Sequence, residues 1–171
     1  MLKRIALYIT LLLLFIQAAK AQALKAWFGE WKGSLELYKT DGSVDKIVPM
    51  DLFIKPTTDS MVVQWRIVYN NQGARDYKMR TSDAATGKYV LDELNGINID
   101  VRKFGNVLMS SYDVQDYQIW DSYEMRGVTM IFTLTSSTTK LHTSSGNGTE
   151  ESPTVKSMPP NVFQRAVLFR Q

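Results

Sequence analysis

Apolar and polar residues alternate with a period of two along almost the whole chain after residue 21. In the stretch MVVQWRIVY, Val63, Trp65 and Ile67 fall on one side, and Gln64 and Arg66 fall on the other. Successive side chains of a β-strand point to opposite faces, so this alternation predicts strands with one buried and one solvated face. No segment has a convincing apolar period of 3.6, and no solenoid-like repeat is present.

Turn signals divide this alternating chain into about ten strands. The first begins at Gly29 and ends before the turn at Asp41-Gly42. The others are predicted at residues 46–55, 61–69, 75–81, 88–94, 97–104, 107–114, 117–126, 128–136 and 162–170. Most connections are too short for the crossovers that parallel strands need. A long antiparallel meander commonly closes and so removes its edges. The pattern therefore predicts an all-β fold, an antiparallel up-and-down barrel whose first strand pairs with its last.

The first 21 residues are predicted to be a secretory signal peptide. Lys3 and Arg4 form a basic start, residues 5–16 form an apolar run that is short for a membrane span, and Ala19 and Ala21 fit a cleavage site. We therefore expect residues 22–171 to form one exported barrel domain, periplasmic or extracellular, without a transmembrane segment after cleavage. Within it, residues 137–160 are rich in Ser, Thr, Gly and Pro and are predicted to be a mobile loop.

Composition narrows the set of partners. The chain has no cysteine, which excludes disulfides, thiol catalysis and cysteine-based metal sites. It has 20 Lys and Arg and 17 Asp and Glu, but Lys3, Arg4 and Lys20 belong to the predicted signal peptide, which leaves 17 of each. A nucleic-acid partner normally needs a basic patch, and none is visible. Neither nucleic acid nor a metal ion is predicted as a partner, and the sequence does not indicate an oligomeric state.

The segment Gly29-Glu30-Trp31-Lys32-Gly33 opens the first strand with a tryptophan between two glycines. Glycine in a strand marks a sharp bend or a close approach, and a tryptophan there plugs a barrel end with a large apolar surface. The segment resembles the G-x-W signature on the first strand of lipocalins and other calycins, which include fatty-acid-binding proteins and nitrobindin-like haem barrels. Two departures stand out: no pair of helices follows the first strand, and the chain ends on a strand instead of a helix.

The resemblance implies that an arginine near the C-terminus crosses the signature tryptophan. Arg165 and Arg170 are the candidates on the last strand. We favour Arg170 over Trp31, because a position near the chain end lets its charged head reach water. Gly29, Trp31, Gly33 and Arg170 are therefore assigned a structural role at the barrel floor.

Aromatic and methionine residues on the strands suggest a ligand. Walls of this kind bind small apolar molecules, but in a small closed barrel the same residues can simply fill the core. Both interpretations stay open for the candidate ligand-binding residues Trp65, Tyr69, Tyr77, Met79, Tyr112, Tyr123 and Phe132. The leading hypothesis is a lipocalin-like barrel that binds a small hydrophobic molecule.

Evidence for catalysis or a cofactor in the sequence is thin. Glu93 shares a strand face with Tyr89 and Leu91 and is the weak candidate for an acid or base, as in a barrel isomerase or cyclase acting on a lipid-like substrate. The resemblance to nitrobindin-like barrels makes His142, the only histidine, the sole candidate haem ligand, but its Ser/Thr-rich surroundings predict exposure. No cofactor is predicted. A small outer-membrane barrel is a further alternative.

Overall fold

The structure, a computed structural model, describes residues 24–70, 73–140 and 142–171. The predicted signal peptide, residues 1–21, lies outside the described residues. A short 3₁₀ helix, Lys25–Trp27, precedes the first strand. The strands that follow in the described part of the chain are β1 (Gly29–Tyr38), β2 (Val44–Pro56), β3 (Val62–Tyr69), β4 (Ala74–Asp83), β5 (Lys88–Asp92), β6 (Asn98–Phe104), β7 (Val107–Val114), β8 (Tyr117–Arg126), β9 (Thr129–Thr138), β10 (Thr143–Ser145), β11 (Val155–Ser157) and β12 (Pro160–Arg170).

Ten of these strands form a closed antiparallel barrel, which confirms the predicted fold class. The strand order is β1-β12-β9-β8-β7-β6-β5-β4-β3-β2, and β12 closes the barrel by pairing with β1 from Trp31–Arg170 to Tyr38–Phe163. Each remaining neighbour, apart from the β9–β12 pair, is also the next strand in the sequence. The short connections and period-two alternation produce this order, because hairpins join successive strands without crossing a sheet face.

The segment predicted as a loop, residues 137–160, contains more regular structure than its composition indicates. β9 continues to Thr138, and β12 begins at Pro160. Between them, β10 and β11 form a separate two-stranded antiparallel sheet, with Thr143 opposite Ser157 and Ser145 opposite Val155. Turn-forming residues thus create a small hairpin appended to one end of the barrel.

The core lies inside the barrel. The fully buried side chains include Trp65, Met50, Leu52 and Phe132. Their strand neighbours, such as Arg66 and Lys78, are exposed on the outside, as the alternation predicts. The outer face carries these charged side chains together with exposed apolar ones such as Phe163 and Phe169.

One end of the barrel, which we call the floor, is closed by Trp31. Its side chain is fully buried, and its indole N–H donates a hydrogen bond of 3.0 Å to the backbone carbonyl of Trp27 in the 3₁₀ helix. The guanidinium carbon of Arg170 lies 4.4 Å from the Trp31 ring centroid, and its Nη2 donates to the Ala26 carbonyl at 2.6 Å. Arg165 instead lies opposite Glu36 and is exposed. Arg170 therefore joins the helix, the first strand and the last strand.

A steric requirement explains the glycine at each of the two signature positions, Gly29 and Gly33. Gly29 has a φ of +150°, a conformation that side chains disfavour, and Arg170 packs beside it. At Gly33, an added Cβ would lie 2.0 Å from the backbone carbonyl oxygen of Val167 on β12. β1 and β12 approach each other so closely here that only glycine fits, which ties this residue directly to barrel closure.

We expect Trp31→Ala to lower the free energy of unfolding by about 3–5 kcal/mol, because the substitution removes a fully buried indole from the floor and leaves a cavity. Chemical denaturation followed by circular dichroism measures the change. Trp120→Ala, at a partly exposed position on the outer face of β8, is the matched control and should cost much less. Equal stability of Trp31→Ala and the parent would contradict the role assigned to the floor.

Gly33→Ala should destabilise the protein by about 1–3 kcal/mol, because even a methyl group forces β1 and β12 apart. The melting temperature and the denaturation midpoint report this loss. Ser34→Ala, one residue along on the exposed face, is the control and should leave both nearly unchanged. A fully stable Gly33→Ala variant would show that the two strands separate at little cost.

Candidate functional site

The interior of the barrel changes character from the floor to the opposite end. Above Trp31, the lumen is filled by a packed aromatic layer. Tyr123 lies between Trp65, at 5.1 Å in an edge-on arrangement, and Phe132, at 4.9 Å between ring centroids. Met79 is buried with them. This layer therefore fills the part of the lumen next to the floor.

Beyond the aromatic layer, polar side chains face the lumen. We call this group the open-end cluster. Its members lie on the inward face of the strands or at the strand ends, and they are Tyr69, Arg75, Tyr77, Glu93, Ser110, Tyr112 and Asp121. A groove of about 350 Å³ at its rim is lined by Arg75, Asp76, Tyr77, Glu93 and Asn95. The cluster combines hydrogen-bonding groups with aromatic surface.

The tyrosines of the cluster remain neutral far above neutral pH. Burial raises the pKa of Tyr69 to about 12, although the nearby Arg75 opposes the shift. Burial, together with the charges of Asp121 and Glu93, raises the pKa of Tyr112 to about 12 as well. Burial also raises the pKa of Tyr77. All three hydroxyls therefore remain available both as hydrogen-bond donors and as acceptors.

Asp121 is the deepest charged residue of the cluster. It lies on β8 directly opposite Ser110 on β7. Burial raises the pKa of its carboxyl group, and the hydroxyls of Ser110 and Tyr112 reduce that shift without cancelling it. A carboxyl group in this environment is easier to protonate than one in water.

Arg75 provides positive charge at the rim of the cluster. Its guanidinium carbon lies 5.4 Å from the Tyr69 ring centroid, an arrangement that holds the cation over the aromatic face. It also interacts with the hydroxyl of Tyr77. Glu93 lines the same groove. The rim thus presents both signs of charge.

The candidate ligand-binding residues separate into two groups. Trp65, Met79, Tyr123 and Phe132 are buried in the core, where they fill the barrel. Tyr69, Tyr77 and Tyr112 are partly exposed and belong to the open-end cluster. The core-filling interpretation therefore fits the first group, and ligand binding stays a prediction for the second group.

Glu93 and His142 occupy different environments. Glu93, the weak catalytic candidate, lies at the rim of the cluster beside Asn95, whose amide donates to its carboxylate at 3.2 Å. His142 is exposed just before β10, away from the barrel interior. Within residues 24–70, 73–140 and 142–171, no group of three or more acidic or histidine side chains is arranged to hold a metal ion.

Sequence reasoning missed Arg75, Ser110 and Asp121. The signal was present, because each lies two residues from an aromatic residue already assigned to the interior: Arg75 from Tyr77, Ser110 from Tyr112 and Asp121 from Tyr123. Strict period two places both members of each pair on one face. The polarity of these residues made them look like solvent-facing positions.

Comparison with known proteins gives a fold and no function. No family model matches the sequence, and no curated protein matches it. Among solved structures, the chain is similar to a protein of unknown function from the DUF3598 family of Nostoc punctiforme PCC 73102, with a TM-score of 0.63 and 11% identity over 86% of this chain. The match covers 49% of that protein, so the chain spans about half its length. No helix in the described part of this chain is both long and apolar enough to cross a membrane.

We expect Asp121→Asn to be more stable than the parent at pH 7. Because the folded state raises the pKa of Asp121 above its ordinary value of 3.8, the folded protein binds a proton more readily than the unfolded chain. The stability that this group contributes is fully present below pH 3.8 and is lost as pH rises through the folded pKa.

Melting temperatures of Asp121→Asn and the parent, measured from pH 3 to pH 8, test this linkage. The difference in melting temperature between Asp121→Asn and the parent should be largest at neutral pH and should shrink on acidification. Asp113→Asn, at an exposed position on neighbouring β7, is the matched control and should show no such trend. A constant difference across the range would contradict the linkage.

Proposed function

We propose that this chain is an exported, lipocalin-like barrel that binds a small, largely apolar molecule at the open-end cluster. One observation supports this most strongly: the lumen is packed with aromatic side chains toward the floor, but hydrogen-bonding side chains line its other end. Binding sites for small molecules commonly combine an apolar wall with a few convergent polar groups. Export is proposed from the sequence of residues 1–21 alone.

The energetic cost of the cluster supports a binding role. Polar groups inside a barrel cost stability unless they are hydrogen-bonded, and a partly buried carboxyl group such as Asp121 costs more. The side chains at the floor show that this sequence can fill the same barrel with apolar groups. Polar residues retained in the lumen despite this cost are best explained by contact with a ligand.

The mixed charge of the cluster favours an uncharged polar group on the ligand. A strongly anionic head would be attracted by Arg75 but repelled by Glu93 and Asp121, and a cationic head would meet the reverse. Hydroxyl, ester or amide groups, in contrast, can donate to or accept from Tyr69, Tyr77 and Tyr112 without a net charge. The ligand class is therefore an amphipathic molecule with an uncharged, hydrogen-bonding head.

Proton transfer is a second candidate function, because the carboxyl of Asp121 has a raised pKa and lies beside the hydroxyls of Tyr112 and Ser110. Such a group suits general acid–base chemistry on a bound lipid-like substrate. Asp121, deeper in the cluster, is better placed for this role than Glu93 at the rim. Conversion of a ligand co-purified from the native host, lost in Asp121→Asn, would establish it; recovery of that ligand unchanged would exclude it.

We expect the barrel to bind 1-dodecanoylglycerol, used below its micellar concentration as a probe with an uncharged head. Tyr112→Phe should weaken binding about 2- to 10-fold, because it removes one hydrogen bond while keeping the ring. Isothermal titration calorimetry measures the dissociation constant.

Tyr117→Phe is the matched control, because Tyr117 is an exposed tyrosine on the other side of the turn that joins β7, which carries Tyr112, to β8. It should bind the probe as the parent does. Native mass spectrometry of protein from its own host then identifies the natural ligand. Failure of the parent to bind any amphipathic probe, together with a ligand-free native protein, would refute the proposal.

A further inference from the structure

The outer surface of the barrel has two unlike sides. On β3 to β6, many outward side chains are charged, and ion pairs such as Arg66–Asp76 join neighbouring strands. The outward side of β1, β12 and β9, which we call the seam face, carries much less charge. On β12, Arg165 is the one charged outward residue between Phe163 and Phe169. On β9, the outward residues beside β12 are uncharged and mostly β-branched: Thr129, Ile131, Thr133 and Thr135.

Large apolar side chains of the seam face are open to solvent. Phe163 is 38% exposed, Val167 37% and Phe169 53%, all on β12. Tyr38 of β1 lies beside Phe163, with 5.1 Å between the ring centroids, and so extends this apolar surface to the next strand. On neighbouring β2, Ile47 is 60% exposed. A contiguous group of exposed apolar side chains on a protein surface is typical of an interaction site.

Two opposite charges lie in the middle of this surface. Glu36 on β1 is directly opposite Arg165 on β12, and a groove of about 230 Å³ between the two strands is lined by both residues and by Val167. The Glu36 carboxylate accepts a hydrogen bond from the Tyr38 hydroxyl. None of the ion pairs in the described part of the chain includes Arg165. An arginine surrounded by apolar side chains is typical of protein–protein interfaces.

The register of β1 and β12 makes the seam face complementary to itself. If a second copy lies face to face with the first, a two-fold axis along the strands, between β1 and β12, exchanges these two strands without shifting them lengthwise. Each residue then meets the cross-strand partner that it has in its own chain. Glu36 meets Arg165 of the second copy, and Tyr38 meets its Phe163. Such a contact is isologous, so every interaction occurs twice.

The central charges favour a second copy over other occupants. An apolar membrane interior would have to take up Glu36 and Arg165 without supplying a partner for either, which is costly. An unrelated protein would need a carboxylate and a guanidinium spaced to match. The same chain already presents both groups at the spacing that the two-fold axis requires.

We propose that the seam face is a dimer interface between two copies of this chain, in which Glu36 of each copy binds Arg165 of the other. Phe163 and Val167 lie two positions from Arg165 on either side and shield the two ion pairs from water. The proposal goes beyond ligand binding and does not depend on it, because the seam face points away from the lumen.

Charge reversal tests this interface. Sedimentation velocity over a range of protein concentrations gives the dissociation constant of the dimer. Arg165→Glu should raise that constant about 10- to 1,000-fold, because two glutamates then face each other at each position of the pair. Glu36→Arg should have the same effect through facing arginines.

An equal mixture of the Arg165→Glu and Glu36→Arg proteins should dimerise again. In the mixed dimer, one copy carries two glutamates and the other carries two arginines, so both pairs across the axis are complementary. A change in the stability of either single chain cannot produce this recovery. Native mass spectrometry distinguishes the mixed dimer from the two parent-like ones by mass.

Two further variants complete the experiment. Val167→Lys should also weaken the dimer, because it places a charge in the apolar part of the interface. Arg102→Glu is the matched control, because Arg102 is exposed on β6, on the charged side of the barrel, and this variant should dimerise as the parent does. Melting temperatures show which variants remain folded, and Val167→Lys decides if the charge-reversed chains do not fold.

Three results would overturn the proposal. The first is a parent that stays monomeric at every concentration up to its solubility limit, including one that instead binds phosphatidylcholine vesicles, which would assign the seam face to a membrane. The second is a dimer whose dissociation constant is unchanged in Arg165→Glu and in Val167→Lys. The third is a mixture of folded Arg165→Glu and Glu36→Arg proteins that remains monomeric.

Discussion

Closure of β1 on β12 is the constraint on which the rest of the molecule depends. A meander of antiparallel strands has two free edges, and only the pairing of the first strand with the last removes both. Three features at the floor make this pairing work together: Gly33 lets the two backbones approach, Trp31 fills the space beneath, and Arg170 holds the tryptophan and the 3₁₀ helix. Because the anchoring residues come from opposite ends of the chain, the barrel is complete only when its last strand is in place.

Because the floor is closed by tight packing, the opposite end of the barrel can carry polar groups that cost stability. The apolar layer around Trp65 and Phe132 supplies packing and excludes water from the lower lumen. Above it, the same strands carry tyrosine, serine and carboxyl groups in register, and one pair of strands separates. Apolar packing and polar lumen-facing groups thus occupy different ends of the same strands.

Much of the fold could be predicted from the sequence, because strand alternation and turn residues are local signals. β7 and β8 have the predicted bounds, and the pairing of first and last strands follows from closure. Three features could not be predicted. The polarity of Asp121 hid its interior position. A composition typical of loops hid the hairpin of β10 and β11. The normal alternation of both strands gave no sign of the short ladder between β6 and β7. Ladder length depends on how strands splay around the whole barrel, and no local pattern encodes it.

The three features that the sequence pattern did not predict all lie away from the floor. Where a sequence is selected for stability alone, local propensity, patterning and packing agree, and reasoning from the pattern succeeds. Disagreement concentrates where another requirement acts on the same residues. In this barrel, the inward carboxyl group of Asp121 on β8 lies opposite Ser110 on β7, and the part of β7 beyond Ser110 does not pair with β6. Each feature weakens the fold, and the two meet at Ser110, at the end of the barrel where pattern reasoning failed.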